Sequence, residues 1–152
     1  MKGASIEHKS ATILLAGTTA SGKSDLAIAI ARATGAVIVS ADAMTVYRGL
    51  DIGTAKPSPA DQAAIPHFGI DLRSLLEDFD VSEFISIVDH VRATHERVII
   101  VGGTTFWLSA LVRPLAALPA PDPAVREKLE ALADPHEALG TVDPDAAARL
   151  HP

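Results

Sequence analysis

Gly17, Gly22, Lys23 and Ser24 fall in the spacing G-x-x-x-x-G-K-[ST], within the run Gly17-Thr18-Thr19-Ala20-Ser21-Gly22-Lys23-Ser24. These residue types suit one task, the cradling of phosphate. Glycines let successive backbone N–H groups turn toward phosphate oxygens, and a helix starting near Lys23 adds its positive end. The lysine adds a point charge, and the Ser24 hydroxyl can ligate Mg²⁺. The alternative is an ordinary glycine turn between a strand and a helix. The loop does not name its ligand, because ATP and a prenyl diphosphate present the same charged oxygens. Other residues must choose between them.

Asp42 is the next candidate. It lies just past the apolar run at residues 36–39 (AVIV), and in open parallel sheets ligands gather beyond the carboxyl ends of strands. A proton on a bound nucleophile then falls within reach, which is general-base geometry. An equally good reading makes Asp42 the cap of a short helix beginning at Ala43. Asp51 is the competing carboxylate, set in Gly49-Leu50-Asp51-Ile52-Gly53, where an aspartate commonly supports a turn. His8, His90, His95, His136 and His151 show no metal-ligand spacing.

The elements that must position these residues follow from periodicity. Residues 12–16 (TILLA) form a short apolar, β-branched run ending at Gly17, a buried strand entering a turn. Leu26, Ala27, Ile30 and Ala31 then make one apolar helical face that stops at Gly35. Residues 36–39 predict a second strand. Residues 49–80, with Gly49, Gly53, Pro57, Pro59, Pro66 and Gly69, predict loops with short helices, one starting after Ser58. Asp80-Val81-Ser82-Glu83 is a capping box, and Phe84, Ile87, Val88 and Val91 continue it as a helical stripe to about Glu96. Residues 98–101 (VIIV) predict a third strand closed by Gly102-Gly103, and residues 104–112 a helix. Pro114, Pro119, Pro121 and Pro123 mark a linker before a polar helix over residues 123–133. Continuous apolar strands separated by helices predict an α/β fold, a P-loop NTPase-like parallel sheet with helices on both faces. The expected divisions are a tail at 1–11, a core at 12–117 and a helical region at 118–152.

Composition narrows the function classes. With 48% hydrophobic residues the 152-residue chain can build a core, and it has no cysteine, which excludes disulfides, thiol nucleophiles and cysteine zinc sites. No run of 18 apolar residues exists and the first ten residues are polar, so neither a membrane span nor a signal peptide is expected, and the cytoplasm is the default compartment. The net charge of −6 argues against non-specific nucleic-acid binding by the whole surface, yet residues 118–152 hold seven acidic and three basic side chains, which leaves the body nearly neutral.

Three stretches together resemble the tRNA dimethylallyltransferase family, also called tRNA isopentenyltransferases or IPP transferases. They are GTTASGKS at residues 17–24, SADAMTVYRGLDIGTAKP at residues 40–57 followed by Ile65-Pro66-His67, and VGGTTFW at residues 101–107. The second is the most specific. The resemblance runs in order over about residues 12–133, with Val142-Asp143-Pro144 and His151-Pro152 fitting a later segment. It implies transfer of a dimethylallyl group from dimethylallyl diphosphate to the exocyclic amine of the adenine beside the tRNA anticodon, with that adenine flipped out of its stack. It further implies that residues 19–24 line the diphosphate site with Mg²⁺ on Ser24, and that Lys23 stabilises the leaving pyrophosphate. By the same resemblance Asp42 is the general base, Thr104 contacts the reacting groups, and Asp42, Ala43, Met44 and Thr45 contact tRNA.

Arg126 is a weaker candidate for an RNA contact, next to a plain solvated charge, and His67 a candidate for lining the site. A monomer is expected. Family members usually carry proline, serine and glutamine where this chain has Thr18, Ala43 and Thr45, and glycine and tyrosine where it has Thr105 and Trp107. They also continue past the histidine-proline into an arginine-bearing segment, so this chain is expected to be a short member with a reduced helical insertion. Other classes compatible with the loop are a small-molecule kinase with Asp42 activating a hydroxyl, a catalytically silent phosphate-binding module, and a prenyltransferase acting on an adenine nucleotide.

Overall fold

The computed structural model describes residues 10–113 and 122–151. The predicted linker prolines Pro114, Pro119 and Pro121, residues 1–9 of the predicted tail, and Pro152 lie outside them. The chain divides into two compact units, Met1–Leu115 and Ala116–Pro152.

In the first unit four strands form an all-parallel sheet in the order β1-β4-β2-β3. They are β1 (Ala11–Ala16), β2 (Val37–Ser40), β3 (His67–Phe68) and β4 (Arg97–Gly102). Register follows the apolar pattern: Leu15 of β1 aligns with Val101 of β4, and Ser40 of β2 aligns with the same Val101, so three strand ends finish level. A cleft at those ends can therefore draw on all three.

Both faces of the sheet are covered. Ile38, Ile99 and Val101 meet α1 (Lys23–Thr34) through the fully buried Ala27 and Ala31. Val37, Val39, Val98 and Ile100 point the other way, onto Phe84, Val88 and Val91 of α3 (Val81–Thr94) and Trp107 and Leu108 of α4 (Thr105–Val112). Phe84 and Trp107 stack at 4.8 Å, which locks α3 to α4. The predicted α/β arrangement is thus present.

Local signals explain most boundaries. Asp80 caps α3 by accepting from the Ser82 and Glu83 amides while Glu83 reaches back, the complete capping box. Ser58 caps α2 (Pro59–Ala64), with Pro59 in the first turn, where a missing N–H costs nothing. Gly35 closes α1 with φ 70°.

The structure departs from expectation in a few places. Leu26 is exposed rather than part of the α1 face, because the sheet meets the side bearing Ala27 and Ala31, with Ile28 beside them. Strand β3 was not anticipated. Two residues show no period, and it forms only because the chain after α2 returns alongside β2, with Ile38 opposite His67. α3 ends at Thr94, short of Glu96, because His95 is already extended.

The second unit contains α5 (Pro123–Glu130), α6 (Pro135–Val142) and α7 (Pro144–Ala147). Each starts with an Asp-Pro pair: Asp122, Asp134 and Asp143 accept amide hydrogens of the first turn, and the following proline takes the first helical position. α5 stops three residues before the expected Ala133, where the Ala131 amide bonds to Glu127 and Leu129 and tightens the last turn. The His136 ring nitrogen Nε2 meets the Ala147 carbonyl at 3.0 Å, tying α6 to α7.

Candidate functional site

The loop between β1 and α1 leaves phosphate-binding donors open. Gly22 is the N-cap of α1 with φ 79°, a conformation that favours glycine, and no side chain caps the first turn. Ala20 also has positive φ, 61°, so left-handed residues flank Ser21. Such alternation turns neighbouring peptide N–H groups toward one concavity, and the helix start adds its partial positive charge. Lys23 donates to the Thr18 carbonyl at 3.0 Å, a neutral partner that an anion readily replaces.

The carboxylate is set by the ends of β2 and β4. Ala41, fully buried, donates its amide to the Val101 carbonyl at 2.8 Å and accepts the Thr104 amide at 3.2 Å. The Thr104 hydroxyl accepts the Ala43 amide at 3.0 Å. Asp42 is held between these anchors, and its Oδ1 accepts the Met44 amide at 2.9 Å. The Thr45 hydroxyl donates to the Asp42 carbonyl at 3.1 Å and shares a buried 2.9 Å bond with Ser40. No helix begins at Ala43: the chain makes a tight turn whose end, Tyr47, bridges to Arg73. The capping role and the catalytic role of Asp42 are therefore compatible, because one oxygen fixes the turn and no donor among the described residues takes Oδ2.

These pieces surround one cleft of about 510 Å³. Thr19, Ala20, Ser21, Gly22, Lys23 and Ser24 line it together with Asp42, Met44 and Thr45. Gly17, Thr18, Ala43 and Thr104 are not among the lining residues; Thr18 is joined to it through Lys23, and Thr104 through Ala43. Arg126 stands on the second unit, 79% exposed and paired with Glu130 one turn on at 2.8 Å. His67 lines the cleft, its Nδ1 donating to the Ile65 carbonyl at 2.7 Å and its Nε2 buried without a partner among the described residues. Asp51 is not in the cleft lining but bonded to Lys56, whereas Asp42 lines the cleft.

The sequence alone did not assign the wall formed by Gly53, Thr54, Ala55 and Pro57. Its signals in the sequence were its place inside the family-like stretch at residues 40–57 and Lys56, a charge amid apolar and glycine residues that needs a partner.

A family model described as IPP transferase matches residues 45–152. Among curated proteins, the tRNA dimethylallyltransferase of Methylococcus capsulatus is 43% identical over 92% of this chain and 48% of its own length. A tRNA dimethylallyltransferase 1 of Citrifermentans bemidjiense is 44% identical over 96% and 50%. Among solved structures, a tRNA isopentenylpyrophosphate transferase of Staphylococcus epidermidis superposes with TM-score 0.63 at 32% identity, covering 94% of this chain and half of that one. A eukaryotic dimethylallyltransferase acting on tRNA superposes with TM-score 0.78 at 26% identity, covering 93% and 38%. The chain spans about half the length of the curated relatives it matches.

Proposed function

This chain belongs to the IPP transferase family, and from that premise we propose that it transfers a dimethylallyl group from dimethylallyl diphosphate to the exocyclic amine of the adenine next to the anticodon in tRNA. The observation that carries the proposal is the single cleft holding both an uncapped helix start with its lysine and a carboxylate with an open oxygen.

In this reaction the diphosphate sits on residues 19–24. The adenine amine attacks the first carbon of the dimethylallyl group, the bond from that carbon to oxygen breaks, and its electron pair leaves with pyrophosphate. Charge growing on the leaving group meets the loop amides and Lys23. The amine proton passes to Asp42, whose Oδ1 stays on the Met44 amide while Oδ2 takes the proton. Thr104 acts beside it by holding the Ala43 amide.

Mg²⁺ fits this cleft in a limited way. Ser24 is among the residues that line the cleft, and the described residues contain no group of three or more His, Asp or Glu side chains that could cage a metal. That suits a hard ion held by Ser24, water and the diphosphate itself. When bound, Mg²⁺ neutralises charge on the leaving group.

The tRNA-contacting turn is Asp42, Ala43, Met44 and Thr45, of which Met44 is half-exposed while Thr45 is buried and sets the shape of the turn. Arg126 is exposed and available to RNA. A cytoplasmic monomer suits this activity, and no helix among the described residues is long and apolar enough to cross a membrane.

The test is incubation of the chain with labelled dimethylallyl diphosphate, Mg²⁺ and unmodified tRNA, with AMP as a rival acceptor. Label in tRNA is the expected outcome. Binding of ATP without binding of the prenyl diphosphate would sink the proposal. Label in AMP alone moves the acceptor to an adenine nucleotide, and diphosphate binding without transfer leaves a phosphate-binding module.

A further inference from the structure

The wall of the cleft at residues 53–57 contains no helix or strand. It also carries positive φ at Gly53 (80°) and Ala55 (53°). A segment without a backbone ladder holds one shape only if something else anchors it. Thr54 Oγ1 donates to the Leu50 carbonyl at 2.6 Å and Gln62 Nε2 to the Pro57 carbonyl at 2.9 Å, and the tie that reaches beyond the segment's neighbours is the Lys56 side chain, 4% exposed. Its Nζ donates to the Tyr47 carbonyl at 3.0 Å, Asp51 Oδ1 at 2.7 Å and Asp71 Oδ1 at 2.7 Å. All three ammonium hydrogens are thereby used.

The three acceptors come from three segments. Tyr47 ends the turn that carries Asp42, Asp51 begins the wall, and Asp71 follows β3. Asp71 has φ 54° and donates its own amide to the Thr45 carbonyl at 3.1 Å, which returns the connection to the Asp42 turn. Burial alone pulls the Lys56 ammonium toward a lower pKa, but the hydrogen bonds it donates to Asp51 and Asp71, and their charges, outweigh it and hold the group above its ordinary value. The Lys56 ammonium therefore stays charged at neutral pH.

We propose that Lys56 is a positioning residue for the acceptor side of the cleft, holding residues 53–57 in register with Asp42 through Asp51 and Asp71. This rests on the proposed prenyl transfer for the identity of the acceptor, but the positioning itself does not. Asp51 and Asp71 are exposed enough, at 68% and 41%, to be solvated without the lysine, and Lys56 belongs to neither buried core cluster. Loss of the ammonium should therefore loosen the wall and leave the fold.

The experiment compares the full chain with Lys56→Met and Asp71→Asn by backbone NMR order parameters, pyrophosphate binding and transfer kinetics. Lys56→Met is expected to lower the order parameters at residues 51–56 from the rigid range of about 0.85 to below about 0.6, with β2, β4 and α3 unchanged. Pyrophosphate affinity should stay within about twofold, since the loop at residues 17–24 is untouched, while KM for the RNA acceptor rises about tenfold and kcat changes less. Asp71→Asn should move the same readouts in the same direction by less. Unchanged order parameters at residues 51–56 in Lys56→Met overturn the proposal. Should that variant unfold, an unchanged wall in Asp71→Asn overturns it instead. Absence of transfer by the unmodified chain refutes the prenyl-transfer proposal alone, because the order parameters and pyrophosphate binding still report on the wall.

Discussion

Replacing Gly102 by alanine places a methyl group where the structure has no room. A Cβ built on Gly102 lies 2.1 Å from the Ala41 carbonyl oxygen, 2.4 Å from its carbonyl carbon and 2.8 Å from its Cα. All three are backbone atoms, so no rotamer relieves the clash. Ala41 must retreat by about 1 Å to reach ordinary contact, yet it is fully buried and pinned on both sides, to Val101 at 2.8 Å and Thr104 at 3.2 Å. Straining or losing those bonds together with the steric cost should destabilise the unit by about 2–4 kcal/mol. Because Asp42 follows Ala41 directly, a shift of about 1 Å at the carboxylate should slow transfer by about 100-fold. Gly103→Ala is the control: its Cβ would meet nothing closer than the Gly17 carbonyl oxygen, at 3.5 Å, so it should cost less than about 1 kcal/mol. Urea denaturation gives the stability difference, and single-turnover transfer with bound dimethylallyl diphosphate gives the rate. Equal stability and equal rate for Gly102→Ala and Gly103→Ala would refute the claim that close approach of β4 to the Ala41 peptide positions the carboxylate.

Other expectations follow from single contacts. Asp42→Asn keeps an oxygen for the Met44 amide, so melting temperature should hold while the transfer rate falls by about 10²–10⁴, the range for loss of a general base; a rate within threefold of the parent, or about that, removes Asp42 from proton transfer. Ser24→Ala should weaken pyrophosphate binding in Mg²⁺ but not in EDTA, read by titration calorimetry, and equal losses in both would dissociate Ser24 from the metal. Asp80→Ala should destabilise α3 by about 1 kcal/mol at pH 7. The Ser82 hydroxyl, then the Glu83 amide, hold the Asp80 carboxyl below its ordinary pKa, so its stabilisation is present above the unfolded value of about 4 and disappears as pH falls through the lower folded value. Melting curves of the two proteins should therefore converge as pH falls below about 4, and a constant gap through that fall would contradict the assignment.

What could be read from the sequence was the chemistry held in contiguous residues. The phosphate loop spans residues 17–24, and each of its requirements, glycine at the turns, a lysine at the helix start and a hydroxyl beside it, is met within one turn of chain. The Asp80–Glu83 box and the Ser58 cap are likewise local, since both partners lie three residues apart. Continuous apolar runs were enough for a parallel sheet with two covered faces, because a strand buried on both sides has no polar alternation to show.

Distance along the chain is where that reading ended. Asp42 and Asp51 are nine residues apart and chemically alike, and only the approach of β4, 60 residues further on, pins one of them at the cleft while Lys56 takes the other. β3 exists through pairing with β2, and Lys56 has meaning only beside Tyr47 and Asp71. Leu26 matched the helical period as well as Ala27 did, and the sheet's position chose between them. Local propensity and motif spacing determined the glycine-rich loop between β1 and α1; long-range hydrogen bonds and close backbone packing decided which carboxylate lines the same cleft and what holds residues 53–57.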